Sequence, residues 1–374
     1  MTNNVPVWQQ AEWAGYPSLE GNLEAEVCVV GLGGSGLAAI LELLNQGKRV
    51  IGLDAGSVAG RAAGRNGGLL GAGLAKGYPD LISAIGREGA RAWYQATLER
   101  IPFMKEQAPE TVSLSGIVRI ISEEGEEADC DRTREALEAD GFPVERYTGP
   151  EGNGLLFPGG GQTNPLERCR ALARLASAGG AVLFENSPVV GLLEDGVATT
   201  NGKVVCPKVV VAVDGKLDHL LPELRGKVRT LRLQMLATAP TELRFPRPVS
   251  SRWGYEYWQQ TADGRIAMGG FRDRGGEGEN TPEDHPAEPV QGLLEAKLRE
   301  LGIAAPVTHR WAASVGYTPD YLPFCGQVRP NVWAVGGYSG TGNVVGSICG
   351  QEIALEAFGH RSGLLEALRV AKIG

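Results

Sequence analysis

The sequence predicts an α/β protein of two domains, the second of them α+β and built on a mixed or antiparallel sheet. Two observations carry this prediction. An apolar strand at residues 27–30 runs into a glycine turn and a helix, and the same order of strand, glycine loop and helix returns at residues 331–358. Between them, residues 253–270 have the alternation and the turn signal of a β-hairpin. The first pattern favours a Rossmann-like domain, in which parallel strands alternate with helices.

The first element is a strand that ends in a glycine turn. Gly31 permits the tight turn, Gly33 lets the backbone approach a pyrophosphate, and Gly36 lets the helix at residues 37–46 pack closely on the sheet. The free amides and the positive dipole end of that helix attract phosphate. The turn therefore predicts a dinucleotide site.

A second strand at residues 49–54 follows the helix and ends at Asp54, where a ribose-binding carboxylate is expected. A glycine-rich loop comes next, at residues 59–68. Its composition suits a backbone that wraps around a ligand, and a flexible loop is the alternative. Farther along, the pattern predicts further elements: a helix at 80–107, a strand at 114–121, a helix at 166–178 with Pro165 in its first turn, strands within 181–193 and 204–213, and a parallel central strand at 209–213.

An aromatic strand is predicted around Tyr255. A strand there places Trp253, Tyr255 and Tyr257 on one face, and Asp263-Gly264 marks a turn into a second strand at residues 265–270. We interpret this hairpin as a substrate-facing sheet. A packed aromatic face in an ordinary sheet is the alternative.

The composition, with 43% hydrophobic and 21% charged residues in 374, is that of a globular protein of about two domains. The net charge of −8 disfavours nucleic acid or an anionic membrane as the partner. No apolar run reaches the length of a membrane span, and the six scattered cysteines form no metal pattern. We therefore expect a cytoplasmic protein with reduced thiols and no metal.

The C-terminal part contains a strand at 331–335, a glycine loop at 336–343 and a helix at 344–358. The first glycine turn alone could hold the pyrophosphate of either NAD or FAD. A second glycine-rich helix start offers amides to another part of a larger cofactor.

With these motifs in place, the chain resembles the FAD-dependent D-amino-acid oxidase superfamily, which includes glycine oxidase, sarcosine oxidase and gamma-glutamylputrescine oxidase. The resemblance covers most of the chain from about Trp8, and the loop at 64–68 is most like the putrescine-derivative oxidases. It rests on matches that occur in the same order: residues 31–36, Asp54, 64–68, 164–165, 209–213, 263–265 with 269–270, 318–320 with Pro323, and 336–342.

The resemblance implies that the cofactor is FAD. The pyrophosphate contacts that it implies are Gly31, Gly33, Gly34, Ser35 and Gly36, and Asp54 with Ala55 would bind the adenosine ribose. Contacts elsewhere would come from a loop beside the pyrophosphate and flavin (Arg65, Asn66, Gly67, Gly68, Leu69), from the backbone of Val189 at the adenine, and from a loop at the ring near N1 and the C2 carbonyl (Gly337, Tyr338, Ser339, Gly340, Thr341, Gly342, Asn343).

The implied chemistry is oxidation of the carbon–nitrogen bond of an amine or amino acid by hydride transfer to flavin N5, giving an imine that hydrolyses, with oxygen as the oxidant. Positioning in a water-poor pocket matters most for such a step. We expect catalytic side chains at Tyr255, Tyr257, Trp311 and Tyr338, and Tyr317 as a further candidate for the wall. An arginine that binds a substrate carboxylate is left open among Arg65, Arg252, Arg272 and Arg274, each of which could instead be a solvated or pyrophosphate-adjacent charge.

Four positions depart from the family pattern. Asp54 replaces the usual glutamate, and Ile40 replaces an alanine, which predicts slightly wider spacing of helix and sheet. Ala313 stands at the cysteine of the covalent flavin link, so FAD is expected to be bound non-covalently. Val344 stands at the sarcosine oxidases' lysine near the flavin, which leaves open a dehydrogenase that passes electrons to a quinone or another carrier.

We expect a discontinuous FAD-binding domain from residues 22–90, 150–215 and 310–374, and a substrate domain from 91–149 and 216–309. A nucleotide-binding module without redox activity is the alternative from a different class. The sequence gives neither the substrate nor the oligomeric state.

Overall fold

A computed structural model describes residues 2–370. The helices in this part of the chain are α1 Gly34–Asn45, α2 Ala62–Arg65, α3 Tyr78–Gln107, α4 Glu126–Ala139, α5 Pro165–Ala178, α6 Leu217–Leu220, α7 Val290–Glu300, α8 Val345–Ala357 and α9 Gly363–Val370. The strands are β1 Thr2–Asn3, β2 Gly21–Glu24, β3 Val27–Val30, β4 Val50–Leu53, β5 Leu69–Leu70, β6 Val112–Ser113, β7 Ile117–Ile120, β8 Glu145–Gly149, β9 Gly152–Phe157, β10 Gly161–Thr163, β11 Val182–Phe184, β12 Val189–Leu193, β13 Gly196–Thr199, β14 Gly202–Val205, β15 Lys208–Val211, β16 Arg229–Thr238, β17 Val249–Ser251, β18 Glu256–Gln260, β19 Ile266–Gly270, β20 Val307–Tyr317, β21 Phe324–Arg329 and β22 Val332–Gly336.

A central sheet carries the glycine turns. Its strand order is β11-β4-β3-β15-β22-β21, parallel throughout except for the edge strand β21. Strands β3 and β4 are buried along their whole length, as strands covered on both faces must be. The structure confirms the predicted Rossmann-like arrangement, including the parallel central strand, which is β15.

Helix α1 packs against α5 and α8 on this sheet. Glycine is required at two of the contacts. A β-carbon at Gly36 would lie 1.8 Å from the carbonyl oxygen of Gly31, and one at Gly350 would lie 2.0 Å from that of Ser35. The two helices that follow the glycine loops are therefore in backbone contact, with the start of α1 against the middle of α8.

A larger mixed sheet forms the second layer, with strand order β1-β20-β16-β19-β18-β17-β7-β9-β8. Strands β18 and β19 form the predicted hairpin, and Gly264 in its turn has a φ of 88°. Helix α7 packs on β16 and β19. The expected α+β unit on a mixed sheet is thus present.

Two sequence predictions need correction here. The loop at 59–68 contains a short helix, α2, in which the β-carbon of Ala63 would lie 3.2 Å from a β-carbon on Gly33, in the turn after β3. The aromatic strand begins only at Glu256, because residues 252–254 form a turn in which Trp253 has a φ of 52° and is 46% exposed. Arg252 holds this turn by ion pairs to Glu123, Glu256 and Asp273.

The division into two domains stays a prediction. The structure adds that β9 and β20 both belong to the larger sheet, although the predicted limits at residues 150 and 310 assign most of their residues to the cofactor domain. All six cysteines are buried and free of disulfides. Within residues 2–370, no helix is both long enough and apolar enough to cross a membrane.

Candidate functional site

The N-terminal end of α1 presents backbone amides to the edge of the central sheet. Gly33 is the N-cap and no side chain caps the helix. Among the described residues, the amides of Gly33, Gly34 and Ser35 have no hydrogen-bond acceptor. Uncapped amides at a helix start, together with the helix dipole, make an anion-binding site.

Asp54 fixes the shape of this turn. Its two carboxylate oxygens accept hydrogen bonds from the amides of Leu32 (2.8 Å) and Gly56 (2.9 Å). Burial raises the pKa of Asp54, and these two bonds oppose the rise. The carboxylate therefore holds the glycine turn in shape. Only its remaining lone pairs are available to accept hydrogen bonds from a ligand. The neighbouring Ala55 is exposed, and Val189 lies in β12 of the small sheet β12-β13-β14-β2.

Two predicted cofactor loops, residues 65–69 and 337–343, meet through a pair of asparagines. Asn66 donates to the side-chain oxygen of Asn343 (3.2 Å), and Asn343 donates to that of Asn66 (2.9 Å). Asn343 also donates to the carbonyl of Leu69 (3.3 Å). The structure thus brings together two segments that are 277 residues apart in the chain.

The 337–343 loop offers a second set of amides. Asp214, which the sequence analysis did not single out, accepts hydrogen bonds from the amides of Gly316 (2.8 Å) and Gly337 (2.9 Å). Ser339 and Thr341 donate within the protein as well. In the described chain, the amides that find no acceptor in this loop are those of Gly340, Gly342 and Asn343.

Arg65 and Trp311 fix the 65–69 loop to strand β20 by hydrogen bonds. Arg65 donates to the carbonyls of Ala312 (2.7 Å) and Asn4 (3.1 Å), and burial lowers the pKa of Arg65. Trp311 is fully buried, donates to the carbonyl of Arg65 (2.7 Å) and contacts the ring of Trp8 edge-on. Trp311 is therefore part of the core beneath the loop.

Tyr338 also lies on the inner side of its loop. The ring is 6% exposed and packs under Gly342 and Gly346, where added β-carbons would lie 3.1 and 3.3 Å from it. Of the four tyrosine and tryptophan residues expected to be catalytic, Trp311 and Tyr338 are thus buried core residues.

Tyr255, Tyr257, Tyr317 and Arg272 form a group that we call the tyrosine–arginine cluster. The guanidinium carbon of Arg272 lies 5.2 Å from the ring centre of Tyr255 and 4.6 Å from that of Tyr317. Tyr257 interacts electrostatically with both Tyr317 and Arg272. The cluster therefore combines three aromatic faces with one cation.

The cluster touches both predicted cofactor loops. A β-carbon at Gly67 would lie 2.6 Å from the ring of Tyr257, and one at Gly340 would lie 3.5 Å from the hydroxyl of Tyr317. Burial raises the pKa of Tyr257 and of Tyr317, so both phenols are neutral donors at ordinary pH. The arrangement suits the binding and orientation of a small organic molecule against the two loops.

Arg168 is the second site residue that the sequence analysis missed. It lies in the first turn of α5, is 2% exposed, and has no hydrogen-bond partner for Nε or Nη2 among the described residues. Its Nη1 lies 3.9 Å from the place of a β-carbon on Gly34. The signal in the sequence is a charged residue on the apolar stripe of a helix, one turn before the buried Leu172.

These features fit an extended dinucleotide cofactor. One set of open amides and a buried, unpartnered guanidinium lie at the start of α1, and a second set lies at the start of α8. The backbone contact of α1 with α8 and the asparagine pair bring these groups into one region of the fold.

The comparisons with known proteins agree with this geometry. Residues 26–355 match the family model described as FAD dependent oxidoreductase. The chain is 28% identical to the protein named "Probable oxidoreductase OrdL" of Rhizobium meliloti, in an alignment that covers 96% of this chain and 88% of that protein. It is 25% identical to gamma-glutamylputrescine oxidoreductase of Escherichia coli, with 92% and 86% covered.

A solved structure shares the fold. Glycine oxidase from Geobacillus kaustophilus superposes with a TM-score of 0.75 over 91% of this chain and 96% of that one, at 19% sequence identity. At this level of identity, the likeness concerns the architecture alone.

Proposed function

This chain belongs to the family of FAD dependent oxidoreductases, and on that premise we propose that it oxidises the carbon–nitrogen bond of a small amine or amino acid. One observation carries the proposal: the tyrosine–arginine cluster borders both predicted cofactor loops, residues 65–69 and 337–343. The relative named gamma-glutamylputrescine oxidoreductase supports a nitrogen-containing substrate. When bound, FAD supplies the acceptor of a hydride at its N5 atom.

We propose that FAD is held without a covalent link, as the resemblance implies. The amides of Gly33, Gly34 and Ser35 attract the pyrophosphate, in a turn that Gly31 and Gly36 make possible. Asp54 with Ala55 faces the adenosine ribose, and the backbone of Val189 faces the adenine. The flavin lies between the loop of Arg65, Asn66, Gly67, Gly68 and Leu69 and the loop of Gly337, Tyr338, Ser339, Gly340, Thr341, Gly342 and Asn343.

Within the second loop, the amides of Gly340, Gly342 and Asn343 would hold the ring near N1 and the C2 carbonyl, as the resemblance implies. Donors that point at developing negative charge stabilise the transition state, because they need no reorganisation during the reaction. Trp311 and Tyr338 are buried beneath these loops and keep them in place by packing.

The cluster tyrosines orient the substrate and exclude water from the reacting carbon. Because the pKa of Tyr257 and of Tyr317 is raised, neither phenol takes the proton of a substrate ammonium group near neutral pH. The amine therefore loses its proton before the hydride leaves. We expect kcat/KM to rise with pH toward the pKa of the substrate amine. A pH profile of kcat/KM that shifts in Tyr257→Phe or Tyr317→Phe would contradict this.

We propose oxygen as the oxidant. A dehydrogenase that uses a quinone or another carrier is the second candidate, and Val344 favours it. This residue is 1% exposed at the N-cap of α8, so the position that resembles the lysine of sarcosine oxidases carries no charge.

The test is the absorbance spectrum of the purified protein and its anaerobic bleaching by a panel of amines and amino acids. Bleaching followed by fast recovery in air supports an oxidase, and slow recovery supports a dehydrogenase. A colourless protein that takes up no FAD, or a yellow one that no compound of the panel bleaches, contradicts the proposal.

A further inference from the structure

Arg168 is a buried cation without an acidic partner. It is 2% exposed, and its Nε and Nη2 have no hydrogen-bond partner among the described residues. The other buried arginines of residues 2–370 each pair with a carboxylate: Arg170 with Glu167, Arg232 with Glu279, and Arg252 with Glu123, Glu256 and Asp273. Arg168 is thus the exception among the buried arginines of this part of the chain.

The acidic side chains of the neighbouring segments are already engaged. Glu167, the residue before Arg168, forms an ion pair within α5. The carboxylate of Asp54 accepts hydrogen bonds from two backbone amides of its own turn. Burial lowers the pKa of Arg168, and of its titratable neighbours the thiol of Cys169 opposes this effect while the guanidinium of Arg100 adds to it. The described part of the chain therefore supplies no anion to this guanidinium.

The guanidinium lies beside the N-terminal end of α1. Arg168 is in the first turn of α5, which packs on α1, and its Nη1 is 3.9 Å from the position that a β-carbon on Gly34 would take. That distance is an ordinary contact, so the two residues are immediate neighbours. The amides of Gly33, Gly34 and Ser35 have no acceptor among the described residues, and the dipole of α1 adds a positive potential at this point. An uncapped helix start and a buried cation therefore lie side by side.

Together, these two features favour a ligand with several negatively charged oxygens. A helix start binds phosphate through its free amides and its dipole. A guanidinium forms two parallel hydrogen bonds to a phosphate group. Because an unpaired buried charge is strongly unfavourable, Arg168 requires a permanent negative charge next to it. A diphosphate has enough charge and enough oxygens to satisfy the arginine and the amides at once.

We propose that Arg168 binds the diphosphate of FAD together with the amides of Gly33, Gly34 and Ser35. The inference rests on the proposed cofactor site, although not on the reaction that the cofactor carries out. Arg168 then belongs to the cofactor site even though α5 lies outside both glycine motifs. Since its charge is compensated only when the cofactor is bound, Arg168 also makes the stability of the folded chain depend on FAD.

Replacement of Arg168 should therefore have opposite effects on stability with and without the cofactor. In the FAD-free full chain, Arg168→Met removes an unpaired buried charge and keeps a long side chain, so the variant should melt at a higher temperature than the wild type. With saturating FAD, the wild type gains the contact between arginine and diphosphate, and it should be the more stable of the two. A packing role alone predicts a lower melting temperature for the variant in both states.

A second experiment follows release of FAD from diluted holoenzyme by the fluorescence of the free cofactor. We expect Arg168→Met to weaken FAD binding by about 10- to 100-fold, as is typical for the loss of a charged hydrogen-bond partner. Arg168→Lys should weaken it less, because lysine keeps the charge but loses the fork of donors. The matched control is Arg174→Met, an exposed position on the same helix, which should leave FAD binding unchanged.

A third experiment identifies the part of the cofactor that Arg168 contacts. ADP carries the diphosphate and adenosine of FAD, and adenosine alone lacks the diphosphate. Each is titrated by calorimetry into the FAD-free full chain. Arg168→Met should weaken the binding of ADP by the same factor as that of FAD and leave the binding of adenosine unchanged. Equal weakening of both probes, or of neither, overturns the inference.

These measurements separate the inference from the proposed function. If the protein binds FAD but no amine or amino acid bleaches it, the proposed reaction fails, and the titrations with FAD and ADP still decide on Arg168. If Arg168→Met lowers the melting temperature by the same amount with and without FAD and leaves FAD release unchanged, Arg168 is a packing residue. The inference is then wrong, while the oxidoreductase proposal stands.

Discussion

Two asparagine side chains join loops from opposite parts of the chain. Asn66 and Asn343 exchange hydrogen bonds, and Asn66 also donates to the carbonyls of Ala62 and Ala63 in α2. Side-chain amides suit this role because each can donate and accept at once. The distance between the two loops, and hence the width of the proposed flavin site, depends on this pair.

We therefore predict that Asn343→Ala weakens FAD binding by about 10-fold, the equivalent of one or two hydrogen bonds. Titration of the cofactor-free variant with FAD gives the dissociation constant. Asn201→Ala at an exposed turn is the control. Unchanged affinity in Asn343→Ala would show that the loops keep their spacing without the pair.

Ile40 shows how one departure from the family pattern is accommodated. A β-carbon on Gly52 in β4 would lie 2.8 Å from Cδ1 of Ile40, and equally close to side-chain carbons of Leu32 and Leu183. The glycine in the strand makes room for the isoleucine on the helix. The bulk of Ile40 is thus matched at a single position on the sheet.

At the scale of elements, the start of α1 offers a matched pair of substitutions. Gly36→Ala places a methyl group 1.8 Å from the Gly31 carbonyl, whereas Gly34→Ala meets nothing closer than Arg168 at 3.9 Å. We expect Gly36→Ala to lose FAD and to unfold at a temperature several degrees lower, because overpacking typically reduces the free energy of unfolding by about 1–3 kcal/mol. Gly34→Ala should fold normally. Thermal denaturation of both variants measures the difference, and equal melting points would contradict the close approach.

A buried aspartate at the end of α4 links this helix to α3. Asp140 ends α4 and accepts hydrogen bonds from Tyr78 (2.7 Å), Arg87 (2.8 Å) and Arg91 (3.2 Å) on α3. Burial alone would raise the pKa of Asp140, but the bonds from these three residues outweigh it and lower the pKa. A lowered pKa means that the contribution to stability is present above the unfolded-state pKa and is lost as pH falls through the folded-state value.

We predict that Asp140→Asn reduces the free energy of unfolding by about 1–3 kcal/mol at neutral pH. The difference from the wild type should shrink below about pH 4, where an unfolded aspartate takes up its proton. Urea denaturation at several pH values measures it, with Asp131→Asn, a more exposed ion-pair partner on α4, as the control. A difference that stays constant down to acidic pH would contradict the charge-based account.

The sequence predicts the parallel strands and the helices that follow them well, because each combines an apolar run with a glycine turn. It misses β16, one of the longer strands of the larger sheet. Its polar residues Arg232 and Gln234 are typical of a solvent-exposed face. In the structure both are buried, and both donate hydrogen bonds to Glu279. A buried polar network of this kind depends on a partner about 45 residues away, which periodicity does not reveal.

At the scale of the whole molecule, the sequence likewise does not reveal which distant residues meet at the candidate site. The amide-rich helix starts are local features, so the sequence locates them. Arg272 and Tyr255 flank the predicted β18–β19 hairpin, but they meet Tyr317 at the end of β20, a strand that only the fold brings into the same sheet. The sequence therefore left open which of four arginines faces a ligand. In the structure Arg252 and Arg274 pair with carboxylates, Arg65 donates to backbone carbonyls, and Arg272 lies on two tyrosine rings.

We expect FAD to stabilise the whole chain, because its proposed contacts span both sheets. A ligand that binds the native state alone, at a thousandfold excess over its dissociation constant, adds about 4 kcal/mol to the free energy of unfolding. Calorimetry of the protein with and without FAD should show one transition that moves upward with added cofactor. Two transitions, of which only one moves, would show that the sheets unfold separately.

The asparagine pair also has a consequence for biosynthesis. A ribosome adds residues at about 5–20 per second, so the 277 positions between Asn66 and Asn343 separate the emergence of the two loops by roughly 14 to 55 seconds. During this interval the first glycine turn has already been translated without its counterpart. Because the proposed site needs both loops, the vitamin-derived cofactor can bind only after Asn343 has been translated, and a shortage of riboflavin would leave synthesised chains in the cofactor-free form.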